Sequence, residues 1–183
     1  MDVDIKKFCK IVKKRSEENM RSFKLLHKAG CYGNCVSILR QELDSYIRVI
    51  YLHMVKDDDL QKICIENTLN GKRWKITDAE MLKKVSEIDG WEQMVYKLGC
   101  SCIHLSNFHN YATENPFKAL FKEDQEVIRN HVKWYHNIDV DLNNFETIIP
   151  VLPLVMEKIS ENLQDALSGK DGIEIYWPPE AFS

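Results

Sequence analysis

The sequence predicts an all-α protein, an antiparallel helical bundle of about six to seven helices. Apolar residues recur at helical spacing in one stretch after another. The clearest case is Tyr32–Val55, where Val36, Leu39, Leu43, Tyr46, Ile47, Ile50 and Met54 fall on one wide face. Glycine and proline are scarce, 7 and 5 among 183 residues, so long helices with few tight turns are expected. A hydrophobic content of 44% supplies one sizeable core. One domain over residues 1–168 is expected, followed by a C-terminal tail over 169–183.

Residues 2–28 read as the first helix, with Ile5, Phe8, Val12, Met20, Phe23 and Leu26 as its stripe. Asp2 and Asp4 suit the positive end of its dipole, and Lys24 and Lys28 suit the negative end. Its basic run, Lys10, Lys13, Lys14, Arg15 and Arg21, is either a solvated face or a phosphate-contacting strip. Residues 29–34 form a compact turn, with Gly30 left-handed and Asn34 as the cap of the second helix. So short a connection makes the first two helices antiparallel neighbours.

The second helix runs to about Val55, and Asp57-Asp58-Asp59 opens a shorter third through Leu60, Ile63, Cys64 and Leu69. Residues 70–73 are a loop, and Trp74-Lys75-Ile76 has the composition of a brief extended piece. Thr77 and Glu80 have capping-box spacing, so a helix over 78–88 is expected, with Met81, Leu82, Val85 and Ile88 inward. Asp89-Gly90 breaks it. The next helix, from Trp91 to near Tyr111, carries Trp91, Val95, Leu98, Cys102, Leu105 and His109 on one face, and Asn115-Pro116 forces a loop beyond it. Asp124 is the expected cap of a helix over 125–136, with Val127, Ile128, Val132 and Tyr135 apolar. A last helix over 143–168 carries Pro150 and Pro153 in its first turns, which should bend or delay it. A strand over 148–155 is the alternative, which two prolines oppose. The tail alternates over 173–177, as a short extended piece would.

Several function classes are excluded at this stage. A net charge of -3 argues against a surface that is wholly a nucleic-acid footprint, while permitting a local basic patch. No apolar run approaches the roughly 20 residues of a membrane helix, so no membrane partner is expected. Asp2 and Asp4 stand where a signal peptide would be basic, so the six cysteines are expected reduced, in the cytoplasm. Cys31-x3-Cys35 and Cys100-x-Cys102 miss the usual zinc spacing; no metal and no cofactor are expected. There is no Gly-rich phosphate loop, no Gly-x-Ser-x-Gly elbow and no His-Glu-x-x-His. The tryptophans, Trp74, Trp91, Trp134 and Trp177, are expected in the core and at its rim.

Two groups of residues remain for chemistry. Arg40 lies on the core-facing stripe of the second helix and needs a partner, the nearest local one being Asp44 at i+4. The segment from Cys102 to Tyr111 contains His104, Ser106, His109 and Tyr111. That segment resembles the motif of the HEPN superfamily of helical domains, an Arg followed a few residues later by His-x-Tyr. His109 and Tyr111 match the His-x-Tyr end, and His104 stands where the Arg would be. Two other pairs meet the loose spacing: Arg129-Asn130 with His136, and Arg48 with His53. The pair of segments 38–44 and 105–109 also resembles a group of bacterial helical proteins in or near that superfamily, over roughly residues 16–112. That group has an Arg and an acidic residue in an early helix and Leu-Ser-x-x-x-His in a later one.

The resemblance implies a metal-independent ribonuclease, or its degenerate relative, in toxin–antitoxin or phage-defence biology. It implies a composite site at a homodimer cleft, RNA as substrate and an antitoxin-like protein as a further partner. The residue types fit such chemistry. Histidine titrates near neutrality and can move the proton of a 2′-hydroxyl or of the leaving oxygen. Arginine matches phosphate charge bidentately. His109 with Arg40 would be the minimal set, with protonated His104 replacing the motif's Arg. The alternative is a non-catalytic helical dimerisation module that binds a protein or a nucleotide. On that reading Arg40 and Asp44 are a structural ion pair and His109 is a buried, hydrogen-bonded histidine.

Overall fold

The computed structural model describes residues 2–85, 91–103 and 115–168. Among them the chain forms seven α-helices and no strand: α1 (Asp2–Lys28), α2 (Tyr32–Met54), α3 (Asp58–Leu69), α4 (Asp78–Val85), α5 (Trp91–Ile103), α6 (Lys122–His136) and α7 (Leu152–Ser168). The fold is an all-α helical bundle. Ile88, Asp89-Gly90, Leu105 and the tail over 169–183 lie outside the described residues.

The bundle is built around α2, which packs against α1, α4, α5 and α7. Its predicted face is sealed: Val36, Leu39, Leu43, Ile47 and Ile50 are almost wholly buried. Neighbours on several sides bury Cys35, Val49 and Leu52 as well, so the buried surface is wider than the stripe alone. Each such aliphatic side chain contributes about 1.5–3 kcal/mol on leaving water.

The turn between α1 and α2 is a Schellman motif. Gly30 has φ +74, the Cys31 amide donates to the Leu26 carbonyl, and the Gly30 amide donates to that of His27. The motif places Cys31 at the start of α2 without a side-chain cap, and Asn34 lies within the helix, exposed, instead of capping it. Asp57 caps α3 as expected, accepting from the amides of Asp59 and Leu60. Thr77 and Glu80 form the expected capping box at α4. Residues 74–76 are an irregular link rather than an extended strand.

α6 begins earlier than expected, with Phe121 at its N-cap, and Asp124 sits in its first turn paired to Lys97 of α5 at 2.6 Å. Only one narrow stripe of α6 packs inward, through Ile128 and Val132. Val127 and Tyr135 are therefore about half exposed, and Trp134 projects into solvent at 81% exposure instead of joining the core. The two prolines delay the last helix as expected: 3-10 turns occupy Phe145–Thr147 and Ile149–Val151 before α7 begins.

Candidate functional site

Arg40, Asp44 and Arg48 are spaced at i, i+4 and i+8 along α2, so they lie on one side of it. Two further helices complete a chain of alternating charge. Asp44 accepts from Arg48 Nε at 3.0 Å and from Arg15 of α1 at 3.0 Å. Asp78, the first residue of α4, accepts from Arg48 at 2.6 Å and from Arg40 at 3.3 Å. The capping box fixes where α4 begins, and with it where Asp78 meets the two arginines.

The partner expected for Arg40 is thus corrected. Its side chain pairs with Asp78, while Asp44 serves Arg48 and Arg15. The reason is geometric: Arg40 is drawn under α5, where its guanidinium lies 4.0 Å from the centre of the Tyr96 ring. Gly99 permits this approach. A Cβ at that position would stand 2.5 Å from the Arg40 Cβ. Burial works to lower the Arg40 pKa, but Cys100, Tyr96 and the Asp44 charge outweigh it and hold it above its ordinary value. Arg40 is only 6% exposed, so it packs and pairs between α2, α4 and α5.

Arg15 and Arg48 do face solvent. They line a cavity of about 680 Å³ together with Lys72, Arg73, Trp74 and Asp78. Four cations and one carboxylate surround the opening. Arg48 lies over the Trp74 ring at 4.9 Å, and the indole Nε1–H donates to the Thr68 hydroxyl at 2.9 Å, which fixes the ring. Of the basic run on α1, only Arg15 lines this cavity; Lys10, Lys13, Lys14 and Arg21 are exposed elsewhere on the helix.

The remaining predicted residues divide in two. His104, Ser106, His109 and Tyr111 lie outside the described residues. The Arg129, Asn130 and His136 set lies on α6. Arg129 is exposed and pairs with Glu126 on its own helix at 2.9 Å, Asn130 faces solvent, and His136 is half-buried with its pKa lowered by burial and by Lys158. In the Arg48 and His53 pair, His53 is fully buried with Nε2 2.9 Å from the Ala166 carbonyl. Cys9, Cys35 and Cys64 pack as buried thiols whose pKa burial pushes up, and no cluster of metal-ligand type occurs among the described residues.

No family model, curated protein or solved structure matches this chain.

Three features escaped sequence reasoning. Spacing marks Arg48 only in a loose pair with His53; what places it in a site is Asp78, which reaches it from α4. Lys72 and Arg73 were visible only as loop residues; what makes them part of a site is the cavity they share with α1 and α2. Glu42 is fully buried between α1 and α2, accepting from the Ser16 hydroxyl and, at 2.8 Å, from the Asn19 amide. No local pattern marks it, since both donors come from another helix.

Proposed function

We propose that this protein binds RNA through the cleft bounded by α1, α2 and the 70–78 connection, and acts as a HEPN-like protein. The observation that carries this reading is the crowding of Arg15, Arg48, Lys72 and Arg73 around one cavity, against two carboxylates, Asp78 in its lining and Asp44 paired with Arg15 and Arg48. Guanidinium groups pair with phosphate oxygens in a fixed fork, and Lys72 adds a mobile point charge. Asp44 and Asp78 hold Arg48 through its Nε and one terminal nitrogen, so its orientation is set before a ligand arrives. The HEPN-like motif supplies RNA as the ligand class. Cleavage without a metal, in a toxin–antitoxin or phage-defence setting, belongs on this reading to His109, with His104, Ser106 and Tyr111; Arg40 takes no part in it.

The test is anisotropy of labelled single-stranded RNA at low salt. Lys72→Gln with Arg73→Gln alters two exposed residues and should weaken binding by about tenfold or more while leaving the melting temperature unchanged. Absence of binding by the unaltered protein would remove the reading. Metal-free incubation with RNA then separates an active enzyme from a degenerate one: cleavage lost in His109→Ala and kept in His27→Ala marks activity.

A second reading, a homodimerising interaction module, is favoured by the surface of α6. Phe121 and Trp134 are 76% and 81% exposed there, with half-exposed Val127 and Tyr135 beside them. Sedimentation equilibrium of the unaltered chain and of Trp134→Glu tests it: a dimer that Trp134→Glu dissociates supports the module, and a monomer at high concentration excludes it.

A further inference from the structure

On the far side of the Trp74–Ile76 link lies a second cavity, of about 660 Å³. Ile76 lines both cavities, so they adjoin. The wall between them is a ladder of side chains. Arg48 lies over Trp74 at 4.9 Å, the rings of Trp74 and Tyr51 are 6.2 Å apart, and Lys84 Nζ stands 5.5 Å from the Tyr51 ring centre. A cation thus caps each end, Arg48 toward the first cavity and Lys84 toward the second.

The two cavities differ in chemistry. The first is rimmed by cations. The second has an apolar floor of Tyr51, Leu60, Ile63 and Cys64, with Lys75, Lys83 and Lys84 around it. Two polar groups remain at its edge. One is the Asn67 side chain; the other is the Glu80 carboxylate, which is occupied by the Thr77 amide and hydroxyl at 2.8 and 2.7 Å. A flat apolar body with a hydrogen-bonding edge and negative charge on either side fits such a place. A nucleobase within a strand has that form; a free phosphate does not.

We infer that the second cavity is a nucleobase subsite, continuous with the phosphate-binding cleft, so that the ligand is a single strand spanning both and not a mononucleotide. This inference rests on the RNA-binding reading above and specifies its ligand. The strand's phosphates lie against Arg15, Arg48, Lys72 and Arg73, and an adjoining base lies over the Tyr51 and Ile63 floor. Lys83 and Lys84 hold the phosphate beyond it.

The experiment compares adenosine monophosphate with a short labelled oligoadenylate. The expected result is an oligoadenylate affinity at least about tenfold the higher, because the strand adds the base and phosphate contacts of the second cavity to those of the first. Lys83→Gln with Lys84→Gln changes two exposed residues. It should abolish that advantage, leave monophosphate binding unchanged, and make the salt dependence of log K shallower by about 0.7, the share of one phosphate. Ile63→Asp, at a half-exposed position, should also abolish the advantage, with every cation kept. Equal affinities for the two ligands, or an advantage that survives both variants, would overturn the inference while the first cleft stands. Polyglutamate competing as well as oligoadenylate would overturn it also, since the groove would then read charge alone. Failure of both ligands to bind would remove the RNA-binding reading itself.

Discussion

Arg40 illustrates how a buried charge is tolerated. Its guanidinium rests on the Tyr96 ring, pairs with Asp78, and lies beneath a glycine that leaves room for it. Its Nε–H has no hydrogen-bond partner among the described residues, so the site is not fully compensated. Gly99→Ala should therefore drive a methyl into the Arg40 stem and cost about 1–3 kcal/mol in denaturant unfolding. Arg40→Ala should destabilise by about 1–3 kcal/mol without abolishing RNA binding, because Asp78 keeps Arg48 as partner. His131 offers a pH-dependent test. Burial first, then the charges of His136 and Lys158, lower its pKa to about 4, and it packs between the rings of Trp91 and Tyr135. A histidine depressed in the folded state is protonated first when unfolded. Stability is thus complete above pH 6.5 and falls as pH drops toward 4, by no more than about 3 kcal/mol given its partial contact with water. His131→Phe should flatten that part of the stability profile. At this scale, periodicity revealed that Arg40 faces the core, because spacing reports direction. It did not reveal its partner, which is 38 residues away and brought near by α4.

At the scale of elements, the helices and most of their ends were legible. Stripe, glycine and capping box are all local signals, and α1 to α4 follow them. The faces of α6 were not. Val127, Trp134 and Tyr135 look like core residues by type, but α6 packs inward mainly through Ile128 and Val132 at the edge of the bundle. An edge helix has a narrow buried stripe, and only the tertiary arrangement decides how narrow. The capping box at α4 links element to site, because it fixes the residue that begins the helix and hence the position of Asp78. Thr77→Ala should cost about 1 kcal/mol in thermal unfolding. It should also loosen the hold on Arg48, read as weaker RNA binding than stability alone explains.

For the whole molecule, the chain of charge from Arg40 through Asp78, Arg48 and Asp44 to Arg15 ties α1, α2 and α4 to one another. It surfaces in the cleft through Arg15, Arg48 and Asp78, while Arg40 stays buried. A molecule of net charge -3 therefore concentrates cations at one opening, which composition could permit but not locate. Among the described residues no helix is long and apolar enough to cross a membrane. The central claim is that the cleft beside Trp74 receives the ligand, and the indole Nε1–H of Trp74 is its most direct reporter. With four tryptophans in the chain, a ¹⁵N–¹H spectrum holds few indole signals, and Trp74→Phe identifies the relevant one. Titration with single-stranded RNA should shift the Trp74 signal saturably and leave that of solvent-exposed Trp134 in place. A Trp74 signal that stays fixed while RNA binds would contradict the account.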